Sequence, residues 1–110
     1  MSQERLVVLC VGDAETERWI TTSIEPYGGI VYRANELLEA LGIYVTYAPD
    51  IVVLDSRTAP DLTQQMYSHL RTIDAEPILI FDDNSARLFE TERDEILNRH
   101  MSFDVPMLVS

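Results

Sequence analysis

Pro49-Asp50-Ile51-Val52-Val53-Leu54-Asp55 is the stretch that decides the fold. Ile51 to Leu54 is an unbroken aliphatic run, mostly β-branched and too short for a buried helix. A strand with one wet face alternates apolar and polar residues, and this run does not. It reads as a strand covered on both faces, which is the pattern of a parallel sheet. Pro49-Asp50 punctuates before it, and Asp55 ends it in a charge.

The same grammar extends in both directions. Leu6 to Val11 is another continuous apolar run, ended by Gly12-Asp13. Pro77 to Phe81 is a third, ended by Asp82-Asp83. Ile30 to Tyr32 reads as a shorter strand, and Val105 to Val109 as a last one. Helical spacing fills the gaps. Asp13 or Thr16 caps a helix to about Ile24, with Trp19, Ile20, Ser23 and Ile24 inward, stopped by Pro26 and Gly28-Gly29. Asn35 caps a second helix with Leu37, Leu38 and Leu41 inward. Its end is left open by Gly42 and the stretch Ile43 to Thr46. Asp61 with Gln64 has the shape of a capping box, opening a helix with Leu62, Met66, Leu70 and Ile73 on one face. Asn84 or Ser85 caps a charged helix to about Arg99, with Leu88, Phe89, Ile96 and Leu97 inward. The order βαβαβαβαβ predicts an α/β fold: a five-stranded, mainly parallel sheet with helices on both faces.

The 110 residues leave room for one domain, spanning 1–110. Hydrophobic residues are 46% and charged residues 25%, an ordinary globular composition. No apolar run reaches the roughly 18 to 20 residues of a membrane span. The Met-Ser-Gln-Glu-Arg start lacks the pattern of a signal peptide, so a cytoplasmic location is expected. Acids outnumber bases 19 to 8, giving a formal charge of −11, and every base is an arginine. That charge repels phosphate backbones and anionic lipid, so neither nucleic acid nor a membrane surface is an expected partner. The one cysteine, Cys10, sits within the first apolar run and reads as a buried small hydrophobe.

Ligands of an open parallel sheet bind beyond the carboxyl ends of its strands. Asp13, Asp55 and Asp82 all stand there. Clustered carboxylates repel, and a proton or a hard divalent cation relieves them. Oxygen ligands suit Mg2+, beside a carboxylate able to attack a phosphoryl group. Taken singly, each acid equally serves as a strand end or a helix cap. His69 and His100 lack partners at metal-ligand spacing. Gly28-Gly29 is wrongly placed for a phosphate loop, and no serine or cysteine shows a hydrolase elbow. Tyr27, Tyr32, Tyr44 and Tyr47 read as packing at helix edges or as an exposed aromatic patch. Glu90 to Glu95 reads as a solvated helix face, with an acidic docking surface as the sharper alternative.

With these residues in place, Pro49 to Asp55 resembles the third-strand signature of response-regulator receiver domains. The first run with Asp13 and the run Pro77 to Phe81 resemble the family's first and fourth strands. The resemblance implies a flavodoxin-like, three-layer sheet in the order 2-1-3-4-5. It implies that Asp55 is the phosphoacceptor for a histidine kinase. Asp13, Asp55 and the backbone carbonyl of Arg57 would hold Mg2+.

The departures from that family are chemical. Receivers carry two adjacent acids after strand one, and here Gly12 fills the first position, with Glu15 near enough to substitute. Asp82 stands where the switch hydroxyl belongs. The chain has no lysine, and Ser110 falls at the position of the lysine that pairs with the phosphoryl group. Met107 stands for the switching aromatic, and the last helix is missing. A phosphoryl group brings about −1.5 to −2 charges. Beside Asp13 and Asp82 it would lack its usual counter-charge, unless Arg57 folds back rather than standing in the loop. The expectation is therefore a receiver-like signalling module, not an enzyme, acting through protein contacts with phosphotransfer weak or lost. The alternatives are a small Mg2+-dependent phosphatase or phosphotransferase using the same acids, and a purely structural interaction domain. A homodimer through an apolar face at Val105, Met107 and Val109 is also expected.

Overall fold

The computed structural model describes residues 6–73, 78–81 and 86–100. In chain order these form β1 (Val7–Val11), α1 (Ala14–Ile24), β2 (Ile30–Ala34) and α2 (Leu37–Tyr47), then β3 (Ile51–Asp55), α3 (Pro60–Thr72), β4 (Ile78–Phe81) and α4 (Ala86–His100). The strands make one parallel sheet in the order β2-β1-β3-β4. The fold is thus α/β with a parallel sheet. The expected strand at Val105 to Val109 lies outside the described residues, as do Asp82, Met107 and Ser110.

Two cores explain the apolar runs. Val8 and Cys10 of β1, with Ile51 and Val53 of β3, pack against Ile20 and Ile24 of α1 and Phe89, Ile96 and Leu97 of α4. The alternate residues Leu9, Val11, Val52 and Leu54 face the other way, against Ala40 of α2 and Met66 and Leu70 of α3. Successive strand residues point to opposite faces, so a strand covered by helices on both sides must be apolar at every position. All five residues of β3 are buried.

Local chemistry sets the ends of the elements. Asp13 caps α1, accepting from the Thr16 backbone N–H at 3.0 Å. After Ile24 the chain makes a single 3-10 turn, Glu25–Tyr27, and Gly28 closes it at φ 75°, a conformation glycine adopts without strain. Other boundaries differ from expectation. The capping position of α2 is Glu36, with no side-chain cap, while Glu39 Oε1 accepts from the backbone N–H of Asn35 at 3.2 Å. α2 runs through Gly42 to Tyr47 and stops at Ala48, which takes the left-handed conformation at φ 45°. α3 begins at Pro60, which suits a first helical position because its missing N–H would be unpaired anyway, so Asp61 falls in the first turn. Leu38, Ile73 and Leu88, expected inward, are exposed. Leu38 sits on the far side of α2 from Ala40, and Ile73 is already past the last turn of α3.

Tyr32 and Tyr47 stack at 4.1 Å between ring centroids, tying edge strand β2 to the end of α2. Among the four tyrosines noted in the sequence, this pair is packing between elements. No helix among the described residues is long and apolar enough to cross a membrane.

Candidate functional site

The carboxyl ends of β1 and β3 meet because the two strands pair in parallel, with Val11 opposite Leu54. Gly12 and Asp13 therefore arrive beside Asp55, as the spacing of apolar runs requires. The approach is close. A Cβ on Gly12 would lie 2.8 Å from the Asp55 Cβ, closer than carbon atoms pack. Gly12 looks in the sequence like a missing acid. In the fold it is the residue that lets the β1 end pass over Asp55.

Asp55 has no exposed side-chain surface. Its Oδ1 accepts from the backbone N–H of Arg57 at 3.1 Å and from Arg57 Nε at 3.0 Å. Its Oδ2 accepts from Arg57 Nη2 at 3.1 Å and from the Thr16 hydroxyl. The guanidinium thus grips both carboxylate oxygens in a fork, the geometry that makes arginine–carboxylate pairs strong. Of the two dispositions open to Arg57, the structure has the folded-back one, with 44% of its side chain exposed.

Thr16 links the two acids. Its hydroxyl lies within hydrogen-bond reach of Asp55 Oδ2 and 3.0 Å from Asp13 Oδ1, and it accepts from Arg57 Nη2 at 3.5 Å. A hydroxyl has one proton, so it serves one carboxylate at a time. In the sequence Thr16 reads only as a helix cap. Its position four residues before Ile20 and eight before Ile24 marks the buried stripe of α1. A buried hydroxyl needs a partner, and that was the available signal. Arg33 adds a second cation near the β1 end, with Nη1 3.5 Å from the Gly12 carbonyl oxygen and Nε 3.0 Å from Glu17 Oε1.

The charges respond to this setting. Burial pushes the Asp55 carboxyl up, but the Arg57 guanidinium and the Thr16 hydroxyl outweigh it and hold the group below the ordinary carboxylate range. Asp13 is also lowered, chiefly by the Thr16 backbone N–H. Cys10, one strand residue before Val11, is pushed up to about 12 by burial and then by the negative charge of Asp55. It is a protonated core thiol rather than a nucleophile.

The structure brings together Asp13, Asp55 and Arg57. Asp82 lies outside the described residues. Among the described residues, no three acidic, histidine or cysteine side chains converge as metal ligands. Both oxygens of Asp55 are already engaged by Arg57 and Thr16, so the donor set as arranged does not fit a divalent cation. The chain matches no protein-family model, and no curated protein matches it in sequence.

Proposed function

We propose that this chain is a receiver-like signalling module acting through protein–protein contacts, in which Asp55 is a structural anchor and phosphotransfer is weak or lost. The observation that carries this is the fork of Arg57 on a fully buried Asp55. The strand order β2-β1-β3-β4 with helices on both faces supports the flavodoxin-like arrangement.

Phosphorylation would convert one Asp55 oxygen into a bridging oxygen and remove its negative charge. That oxygen would lose its place in the fork, and about −1.5 to −2 charges would arrive beside Asp13. Asp13, Asp55 and the Arg57 carbonyl, the groups the receiver resemblance would assign to a metal, do not fit one while the guanidinium stays on Asp55. Arg57 thus acts as a built-in counter-ion. On this reading the module turns over no substrate, and its partners are a histidine kinase or other signalling proteins of the cytoplasm. The contact surface, not the phosphoryl state, carries the signal.

The test is intact-protein mass after incubation with Mg2+ and acetyl phosphate, beside Asp55→Asn. The expected result is no stoichiometric gain in either protein. One phosphoryl group on the wild type, absent from Asp55→Asn, would overturn the closed-site reading. Catalytic turnover of a phosphomonoester would overturn it in favour of the enzyme.

A further inference from the structure

The charged run Glu90 to Glu95 of α4 gains a neighbour in the fold. α4 packs on the same face of the sheet as α1, with Phe89, Ile96 and Leu97 against Ile20 and Ile24. Between the two helices lies a groove of about 340 Å3, at the small end of pockets that hold ligands. Trp19, Pro26 and Tyr27 give it apolar walls, and α4 lends it Glu90 and Arg93.

The two charged residues of the groove are in different states. Arg93 is engaged inside the protein. Its Nε and Nη2 each lie 2.8 Å from Asp94 Oδ1. Its Nη1 donates to the Ser23 carbonyl at 2.9 Å and to the Ser23 hydroxyl at 3.2 Å. The guanidinium lies 5.2 Å from the centroid of the Tyr27 ring, and only 14% of the side chain is exposed. Asp94 neutralises it, so it adds little positive charge to the groove. Glu90 is exposed, and among the described residues it makes no hydrogen bond or ion pair. A neutralised guanidinium and a free carboxylate leave the groove acidic. Arg18, one turn before Thr22 on α1, stands outside it.

We infer that the α1–α4 groove binds an arginine side chain from a basic segment of a partner protein. The arginine's aliphatic stem lies along Trp19 and Tyr27, and its guanidinium pairs with Glu90. Charge selects this occupant. The chain carries −11, which draws basic partners in and repels acidic ones, a second copy included. Arginine suits the walls better than lysine, because its planar, weakly hydrated head stacks on aromatic rings. Arg93 over Tyr27 is that same contact within the chain. The inference rests on the reading of this chain as a contact module and names the chemistry of its partner. It does not involve Asp55, so its failure would leave the acetyl phosphate result standing.

Trp19 is the chain's one tryptophan and lines the groove, so its emission reports binding. The titrant is a hexa-arginine peptide, added to the wild type, Glu90→Gln, Thr22→Arg and Glu36→Gln, with circular dichroism reporting the fold of each. Thr22 lines the groove but is exposed, and its hydroxyl bonds the Arg18 carbonyl of its own helix. Glu36 is exposed at the start of α2, on the opposite face of the sheet. The wild type is expected to saturate at one peptide per chain. Glu90→Gln should weaken binding about two- to fivefold, the effect of one exposed ion pair. Glu36→Gln removes the same charge elsewhere and should leave the affinity nearly unchanged. Thr22→Arg puts a cation into the groove and should abolish the response. An unchanged Trp19 emission in the wild type overturns the proposal. So does equal weakening by Glu90→Gln and Glu36→Gln, or wild-type binding by Thr22→Arg.

Discussion

Asp55 is kept charged inside the protein by a residue two positions along the chain. Burying an ionised carboxylate is costly unless it is paired and hydrogen-bonded, and Arg57 and Thr16 supply both conditions. Its lowered pKa fixes the sign of the acid response. A depressed folded value means the pair stabilises the protein above the unfolded value of about 3.9 and loses that contribution as pH falls through the lower folded value. Chemical denaturation at pH 7, 4 and 3 should therefore show stability falling toward acid. Asp55→Asn should lower stability at pH 7 by about 1.5 to 3 kcal/mol, the range for hydrogen bonds to charged groups. It should also flatten the acid slope, leaving the part that Asp13 contributes with the same sign. An unchanged slope in Asp55→Asn would mean that the pair does not govern acid stability.

Among the elements, glycine has opposite meanings at two places. Gly12 ends β1 where a Cβ would strike Asp55, and Gly42 sits in α2 where a Cβ would meet nothing. Gly12→Ala should destabilise by about 1 to 3 kcal/mol, as overpacking does. Gly42→Ala should stabilise the monomer by about 0.5 to 1 kcal/mol through helix propensity. Paired thermal melts at low concentration check both signs. This contrast also marks the limit of what the sequence made legible. The apolar runs gave the strands β1, β3 and β4 because a doubly covered strand leaves no polar position to confuse the pattern. The juxtaposition of Asp13 and Asp55 followed from parallel pairing. The inward or outward sense of Leu38, Ile73 and Leu88 did not follow, because an apolar residue is ordinary on a surface and spacing alone does not assign the buried side. The role of Gly12 was hidden for a different reason. It depends on a contact with Asp55 across two strands, and local sequence carries no record of that distance.

Over the whole molecule, the net charge of −11 sharpens the importance of the one arginine that closes on Asp55. A hard cation and a guanidinium can each neutralise the carboxylates at the sheet's edge, and in this chain the guanidinium is covalently supplied. We propose that Arg57 supplies at Asp55 the positive charge that a divalent cation would bring. The most direct test is thermal unfolding of the wild type and Arg57→Ala, each with and without Mg2+. Arg57 is partly exposed, so its removal should cost about 1 to 2 kcal/mol, less than the loss of a fully buried partner. Mg2+ should then raise the melting temperature of Arg57→Ala, by binding only the folded state, and leave the wild type nearly unchanged. Equal stabilisation of both proteins by Mg2+ would contradict the claim, since the cation would then bind with Arg57 still in place.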